Sequence, residues 1–155
     1  MVGFHAQTSF ARYGLSSQIL ERQISPEDKE INGAVFTPEY IREYIVKQII
    51  DEFEKRNKNI NELKFGDIAC GCGGFFKTIA EEYRIKLGKS FFDIYNENIF
   101  GLDIQNYSII RTKILLILYA IVNGEDRQVF NFNLFQGDAL EFDWNQFPII
   151  NINGG

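Results

Sequence analysis

Apolar positions recur along the chain with two different periods. After Thr37, apolar residues return every three or four positions from Pro38 to Arg56, which predicts an amphipathic helix. Thr37 is a favoured N-cap, proline is favoured at the first helical position, and Glu39 lies near the positive end of the helix dipole. We therefore expect this helix to begin at the Thr-Pro step.

Shorter apolar runs farther along the chain end in glycine or acidic residues and predict strands. The predicted strands lie at about 63–69, 99–103, 129–135 and 147–152, and further helices at about 75–87 and 105–122. Alternating strands and helices favour an α/β fold with a doubly wound parallel sheet. We expect residues 1–33 to form an N-terminal leader, partly helical, and residues 34–155 the main domain.

Composition narrows the class of protein. The 155 residues are 45% hydrophobic and 24% charged, as in globular domains. With 16 basic and 21 acidic residues the net charge is −5, which argues against a surface that binds nucleic acid throughout. No apolar run approaches the roughly 18 residues of a membrane span, and the first residues lack a signal-peptide pattern.

Cysteine and histidine usage indicates the compartment. Cys70 and Cys72 are too close for an unstrained disulfide, and the chain has no other cysteine. This favours a reducing compartment, the cytoplasm. Since His5 is the only histidine, we also expect no zinc or other metal site.

Glycines and carboxylates follow the predicted strands. Gly71, Gly73 and Gly74 come between a strand and a helix, where glycine permits a tight turn and close approach of a ligand. A tight turn for packing alone explains the same glycines. The missing third glycine of the G-x-G-x-x-G pattern argues against a nicotinamide dehydrogenase.

Two aspartates mark the ends of later strands. Asp103 could accept hydrogen bonds from a pair of ribose hydroxyls, with Ile104 covering an adenine ring. Asp138 could accept from an exocyclic amine. Taken singly, Asp103 could instead cap a helix and Asp138 could be a turn residue.

Together these pieces resemble a known family. Residues 67–75 read Asp-Ile-Ala-Cys-Gly-Cys-Gly-Gly-Phe, similar to the Asp-Pro-Ala-Cys-Gly-Ser-Gly-Gly-Phe segment of DNA adenine-N6 methyltransferases of type I and type IIG restriction-modification systems. Residues 33–41 resemble that family's upstream Phe/Tyr-Thr-Pro segment, and residues 100–104 and 136–140 follow in its order. The likeness covers roughly 33–150 and departs from the family at Ile68 and Cys72.

The resemblance implies a Rossmann-like class I fold with S-adenosylmethionine as the cofactor. It assigns the methionine moiety to Asp67, Ala69, Cys70, Gly71 and Gly73, with Phe36, Thr37 and Pro38 closing over its end. It assigns the ribose to Asp103, the adenine face to Ile104, the adenine amino group to Asp138, and the ring edge to Ala139 or Leu140.

The family's catalytic Asn-Pro-Pro-Tyr/Phe motif follows the fourth strand. Here that stretch, residues 150–155, reads Ile-Asn-Ile-Asn-Gly-Gly, so that Asn153 falls at the catalytic position and glycines replace the prolines. We therefore expect residues 34–155 to be the cofactor-binding half of an incomplete fold, lacking the C-terminal strands, the full motif and the DNA-recognition domain. Such a truncated or degenerate methyltransferase would be inactive alone.

The complete enzyme would act on DNA. A second polypeptide, either a specificity or restriction subunit or the missing half, is a further candidate partner, and no membrane is implied. Two other interpretations remain open: a non-catalytic S-adenosylmethionine-binding or interaction module of a split system, and a methyltransferase for RNA, protein or a small molecule. The Thr-Pro segment and the Ala-Cys-Gly core of the glycine loop favour the adenine enzymes.

Overall fold

The computed structural model describes residues 37–144. Within them the helices are α1 (Glu39–Lys55), α2 (Gly74–Leu87), α3 (Phe91–Glu97) and α4 (Asn106–Val122). The strands are β1 (Phe65–Asp67), β2 (Ile99–Asp103) and β3 (Asn133–Gln136), and a 3-10 turn spans Ile60–Glu62.

The strands form one parallel sheet in the order β1-β2-β3. Asp67 pairs in register with Gly101, and Asp103 with Gln136, so the carboxyl ends of the strands share one edge. The predicted α/β class with a parallel sheet is confirmed. Because the strand order follows the chain, right-handed crossovers place α2 and α4 on the same face, where the two helices contact each other.

The hydrophobic core is centred on β2, the middle strand of the sheet. All five residues of β2 are buried. A Cβ on Gly101 would lie 2.7 Å from the Phe76 ring and 2.6 Å from Leu134, so only glycine allows α2 and β3 to pack here. The buried Tyr83 hydroxyl donates to the Leu63 carbonyl at 2.5 Å and joins α2 to the segment before β1.

Sequence periodicity missed α3 entirely. This helix has only seven residues, too few for a helical period to emerge, and Ser90 caps it by accepting from the Asp93 N–H at 3.1 Å. Its Tyr95 ring stacks on Phe132 with centroids 5.3 Å apart. The sequence predicts the third strand at about 129–135, whereas β3 spans Asn133–Gln136. Phe132, directly before β3, thus contacts α3 through its ring.

The bounds of other elements also differ from those that the sequence predicts. The first strand spans Phe65–Asp67 rather than 63–69. Pro38, not Thr37, is the N-cap of α1, and no side chain caps that helix. The expected N-terminal leader and the strand predicted at 147–152, from which the second winding of the sheet would continue, lie outside the described residues.

Candidate functional site

A buried carboxylate organises the edge at which the strands end. Asp103 closes β2 and is only 9% exposed. Its Oδ2 accepts from the Gly71 N–H at 2.8 Å, and its Oδ1 accepts from the Gln105 N–H at 2.9 Å. The Asp103 side chain thus connects the glycine loop that follows β1 to Gln105, the N-cap of α4.

Two further bonds hold the glycine loop. The Cys70 N–H donates to the Leu102 carbonyl at 3.0 Å, and the Thr112 hydroxyl donates to the Gly71 carbonyl at 2.8 Å. The loop is therefore fastened to both β2 and α4. These two bonds and the bond from the Gly71 N–H to Asp103 join groups far apart in the chain, so tertiary packing sets the shape of the loop.

Two positions in this loop require glycine. Gly71 and Gly73 have φ values of +52° and +74°, in the left-handed region. A Cβ on Gly73 would also lie 2.5 Å from Thr112 Cγ2. Gly73 is the N-cap of α2, and the N–H groups of the first helical turn have no acceptors within the helix. The loop and the helix end together form a tight cradle with backbone donors.

Burial sets the charge of the loop's titratable groups. Burial raises the pKa of Asp67. The Ala69 N–H, which donates to Asp67 Oδ1 at 3.0 Å, lowers this pKa in part, and the negative charge of Asp103 raises it further. Burial, with Asp67 and Asp103 nearby, raises the pKa of the Cys70 thiol to about 12. Burial also raises the pKa of Cys72, so both thiols are protonated at neutral pH and are poor nucleophiles.

Arg42 lies beside this cradle, and the sequence analysis did not single it out. Its side chain is buried, with 5% of the residue exposed. One terminal nitrogen donates to the Thr37 carbonyl, but Nε has no partner among the described residues. The guanidinium carbon lies 3.2 Å from the point that a Cβ on Gly74 would occupy. Its spacing of four from the buried Val46 was the available signal, since it puts Arg42 on the buried face of α1.

The end of β3 is more open. Asp138 Oδ1 accepts from the Leu140 N–H at 2.9 Å, the local bond of a turn residue, and Leu140 is 94% exposed. The Gly137 N–H donates to the Asp103 carbonyl at 3.0 Å, which brings the start of this turn to the end of β2. Ile104, at the same edge, is 64% exposed.

The structure therefore brings most of the predicted site residues to one edge of the sheet. The residues of the cradle are Asp67, Ala69, Cys70, Gly71, Gly73 and Asp103. Thr37 is connected to the cradle indirectly, because its carbonyl accepts a hydrogen bond from Arg42. Pro38 is the N-cap of α1, and Ile104 and the turn at 138–140 lie at the edge itself. Phe36 and Asn153 lie outside the described residues.

Asp103 already accepts one N–H on each oxygen. A carboxylate offers about four acceptor positions, so one remains on each oxygen for a ligand. Among residues 37–144, no group of three or more His, Cys, Asp or Glu side chains is placed to hold a metal ion. No helix in that range is long and apolar enough to cross a membrane.

Comparison with known proteins places the chain. A search of curated proteins finds no match to it. A solved structure, a nuclease-deletion mutant of the Type ISP restriction-modification enzyme LlaGI in complex with a DNA substrate mimic, is similar in fold, with a TM-score of 0.54 at 16% identity. The match covers 84% of this chain and 14% of that one. A family model described as N-6 DNA Methylase matches residues 17–153. The chain therefore belongs to the N-6 DNA methylase family.

Proposed function

We propose that this chain supplies the S-adenosylmethionine-binding half of an adenine-N6 DNA methyltransferase that belongs to a restriction-modification system. The observation that carries the proposal is the cradle at the edge of the sheet, where the buried Asp103 carboxylate holds the glycine loop against the start of α4. Ligands of open parallel sheets bind at this edge. The family match over residues 17–153 supports the same conclusion.

The residues present fit this cofactor. Gly71 and Gly73 hold the loop in a tight left-handed turn at the edge of the sheet, and the N–H groups of the first turn of α2 have no acceptors within the helix. Ile104 and Leu140 offer exposed apolar surface for an adenine ring. The buried Arg42 Nε has no partner among residues 37–144, so the site also contains an unused donor.

The proposed contacts divide between the two ends of the cofactor. The methionine end would be held by Asp67, Ala69, Cys70, Gly71 and Gly73, with Phe36, Thr37 and Pro38 over it. The adenosine end would be held by Asp103 at the ribose, Ile104 at the adenine face, Asp138 at the amino group, and Ala139 or Leu140 at the ring edge. When bound, the cofactor supplies an electrophilic methyl group on its sulfonium.

The protein's contribution to the reaction is positioning. In the full system we propose that the adenine amine is aligned with the methyl group, an effect that lowers the barrier by holding the two reactants together. Asn153 is our candidate for the acceptor that polarises the amine. DNA is the proposed partner; the LlaGI enzyme, whose fold is similar, was solved in complex with a DNA substrate mimic.

Titration calorimetry of the 155-residue chain with S-adenosylmethionine tests the proposal. We expect saturable binding that Ile104→Ala and Asp138→Asn weaken, since these exposed residues contact the ligand and do not hold the fold. Val129→Ala is the matched control for Ile104→Ala, because Val129 is 65% exposed but precedes β3, at the opposite end of the strands. A folded chain that shows no binding would overturn the proposal.

The outer face of α4 favours a second candidate, an interaction module without catalysis. Its exposed residues after Asn106 are all apolar: Tyr107, Ile110, Ile114, Leu118, Ile121 and Val122. A contiguous exposed apolar face often marks a surface that binds another protein. Sedimentation of the chain distinguishes the candidates: concentration-dependent association that Leu118→Asp abolishes, together with no cofactor binding, would favour the module.

A further inference from the structure

Arg42 places a buried positive charge at a position that already has positive potential. Gly74, against which its guanidinium packs, is the first residue of α2. The N-terminus of a helix carries a partial positive charge from its unsatisfied N–H groups. A cation buried beside this helix end is unfavourable unless an anion lies close to both the cation and the helix N-terminus.

The described residues do not supply that anion. Glu39, one turn before Arg42 on α1, pairs with Lys77 at 2.9 Å, and Glu81 pairs with the same lysine at 3.0 Å. Among residues 37–144, Arg42 forms no ion pair, and its Nε has no acceptor. The bond to the Thr37 carbonyl fixes the guanidinium and leaves the Nε–H free for a ligand.

We propose that Arg42 and the first turn of α2 form the subsite for the carboxylate of S-adenosylmethionine. This inference rests on the proposed function. The cofactor has a sulfonium, an ammonium and a carboxylate, and of these only the carboxylate is an anion. The methionine end is already assigned to the glycine loop that leads into α2. A guanidinium matches the geometry of a carboxylate, and such charge-assisted bonds are among the stronger ones.

Decarboxylated S-adenosylmethionine provides the test, because it lacks only the carboxylate. Both ligands are titrated into the full chain and into Arg42→Gln. We expect the substitution to weaken binding of S-adenosylmethionine by about tenfold to a hundredfold, the size of a charge-assisted hydrogen bond. Binding of the decarboxylated ligand should stay the same. Arg56→Gln, at the exposed C-terminal end of α1, is the matched control and should change neither affinity.

Gly74→Ala is a second variant for the case in which Arg42→Gln does not fold. Its methyl group would lie 3.2 Å from the guanidinium carbon and displace that group, while alanine suits the first turn of a helix. The same selective loss is expected. Equal losses for both ligands, or no loss for either, would overturn the inference. If the wild-type chain binds neither ligand, the proposed function itself fails, and the inference fails with it.

Discussion

The two ends of the proposed cofactor site are built differently. At the glycine loop, Gly71 is bonded to Asp103 and to Thr112, residues 32 and 41 positions away. At the end of β3, Asp138 is bonded to Leu140, two residues away. The first region is shaped by tertiary contacts before any ligand arrives, whereas the second is a local turn with an exposed leucine at its tip. The fold thus preorganises the methionine end and leaves the adenine end open.

The largest effect should come from removing the Asp103 carboxylate, which joins the glycine loop to the N-terminal end of α4. Asp103→Ala leaves the Gly71 and Gln105 N–H groups without their acceptor, and we expect it to lower the free energy of unfolding by about 3 kcal/mol. Urea denaturation measures this. Asp138→Ala, the matched change at the open end, should stay within about 0.5 kcal/mol of wild type. Equal losses from both would contradict the distinction between the two regions.

A smaller loss is expected from a methyl group in the cradle. Gly73→Ala forces alanine into a left-handed conformation and places its Cβ 2.5 Å from Thr112 Cγ2, at a combined cost of about 2 kcal/mol. Gly88→Ala is the control, since it has a similar φ of +64° but open space around it. It should cost about 1 kcal/mol.

Thr112→Ser sharpens this comparison, because serine lacks the crowded Cγ2 but keeps the hydroxyl that donates to Gly71. In the Thr112→Ser background, Gly73→Ala should cost about as much as Gly88→Ala, roughly 1 kcal/mol. Thermal unfolding of the single and double variants measures the difference. A cost that stays the same in both backgrounds would show that the contact with Thr112 does not matter.

The charge of Asp67 should make stability depend on pH. Its pKa is raised from the ordinary value of 3.8, first by burial, so the folded protein binds the proton more tightly than the unfolded chain does. The wild type therefore loses stability as pH rises from 3.8 through the folded pKa. Asp67→Asn removes this loss while it keeps an oxygen for the Ala69 N–H.

Asp67→Asn should accordingly be more stable than wild type at neutral pH, with the gain disappearing as pH falls toward 3.8. Urea unfolding of both proteins across this range measures the gain. A gain that does not change with pH would show that the carboxylate charge is not its cause.

The smallest change in stability is expected at the tip of the open turn. Leu140 is 94% exposed, so Leu140→Ala should alter the free energy of unfolding by less than about 0.5 kcal/mol. If Leu140 lies at the edge of the adenine ring, the same variant should weaken cofactor binding several-fold. Leu134→Ala, at a buried position of β3, is the counterpart and should lower stability by about 2 kcal/mol or more. Unchanged cofactor affinity in Leu140→Ala would remove Leu140 from the site.

The sequence predicted the elements whose patterns are long or sharply bounded. The helices α1, α2 and α4 each bury a face with a helical period, and β2 is a fully buried run that ends at Asp103. Parallel strands share one carboxyl edge, so the gathering of Asp67 and Asp103 at that edge was also predictable. The short α3 and the start of β3 were not, since seven residues are too few to show a helical period and Phe132 before β3 packs on Tyr95, which is distant in the chain.

By itself, then, the sequence determined the family, the parallel α/β sheet and the residues at its edge, because motifs and periodic patterns are properties of neighbouring positions. Only the tertiary structure decided that Asp103 holds the Gly71 amide and that Arg42 is buried over the start of α2. Both facts join groups more than 30 residues apart in the chain. Hydrogen bonding and burial at that separation depend on how helices pack against the sheet, which no local pattern encodes.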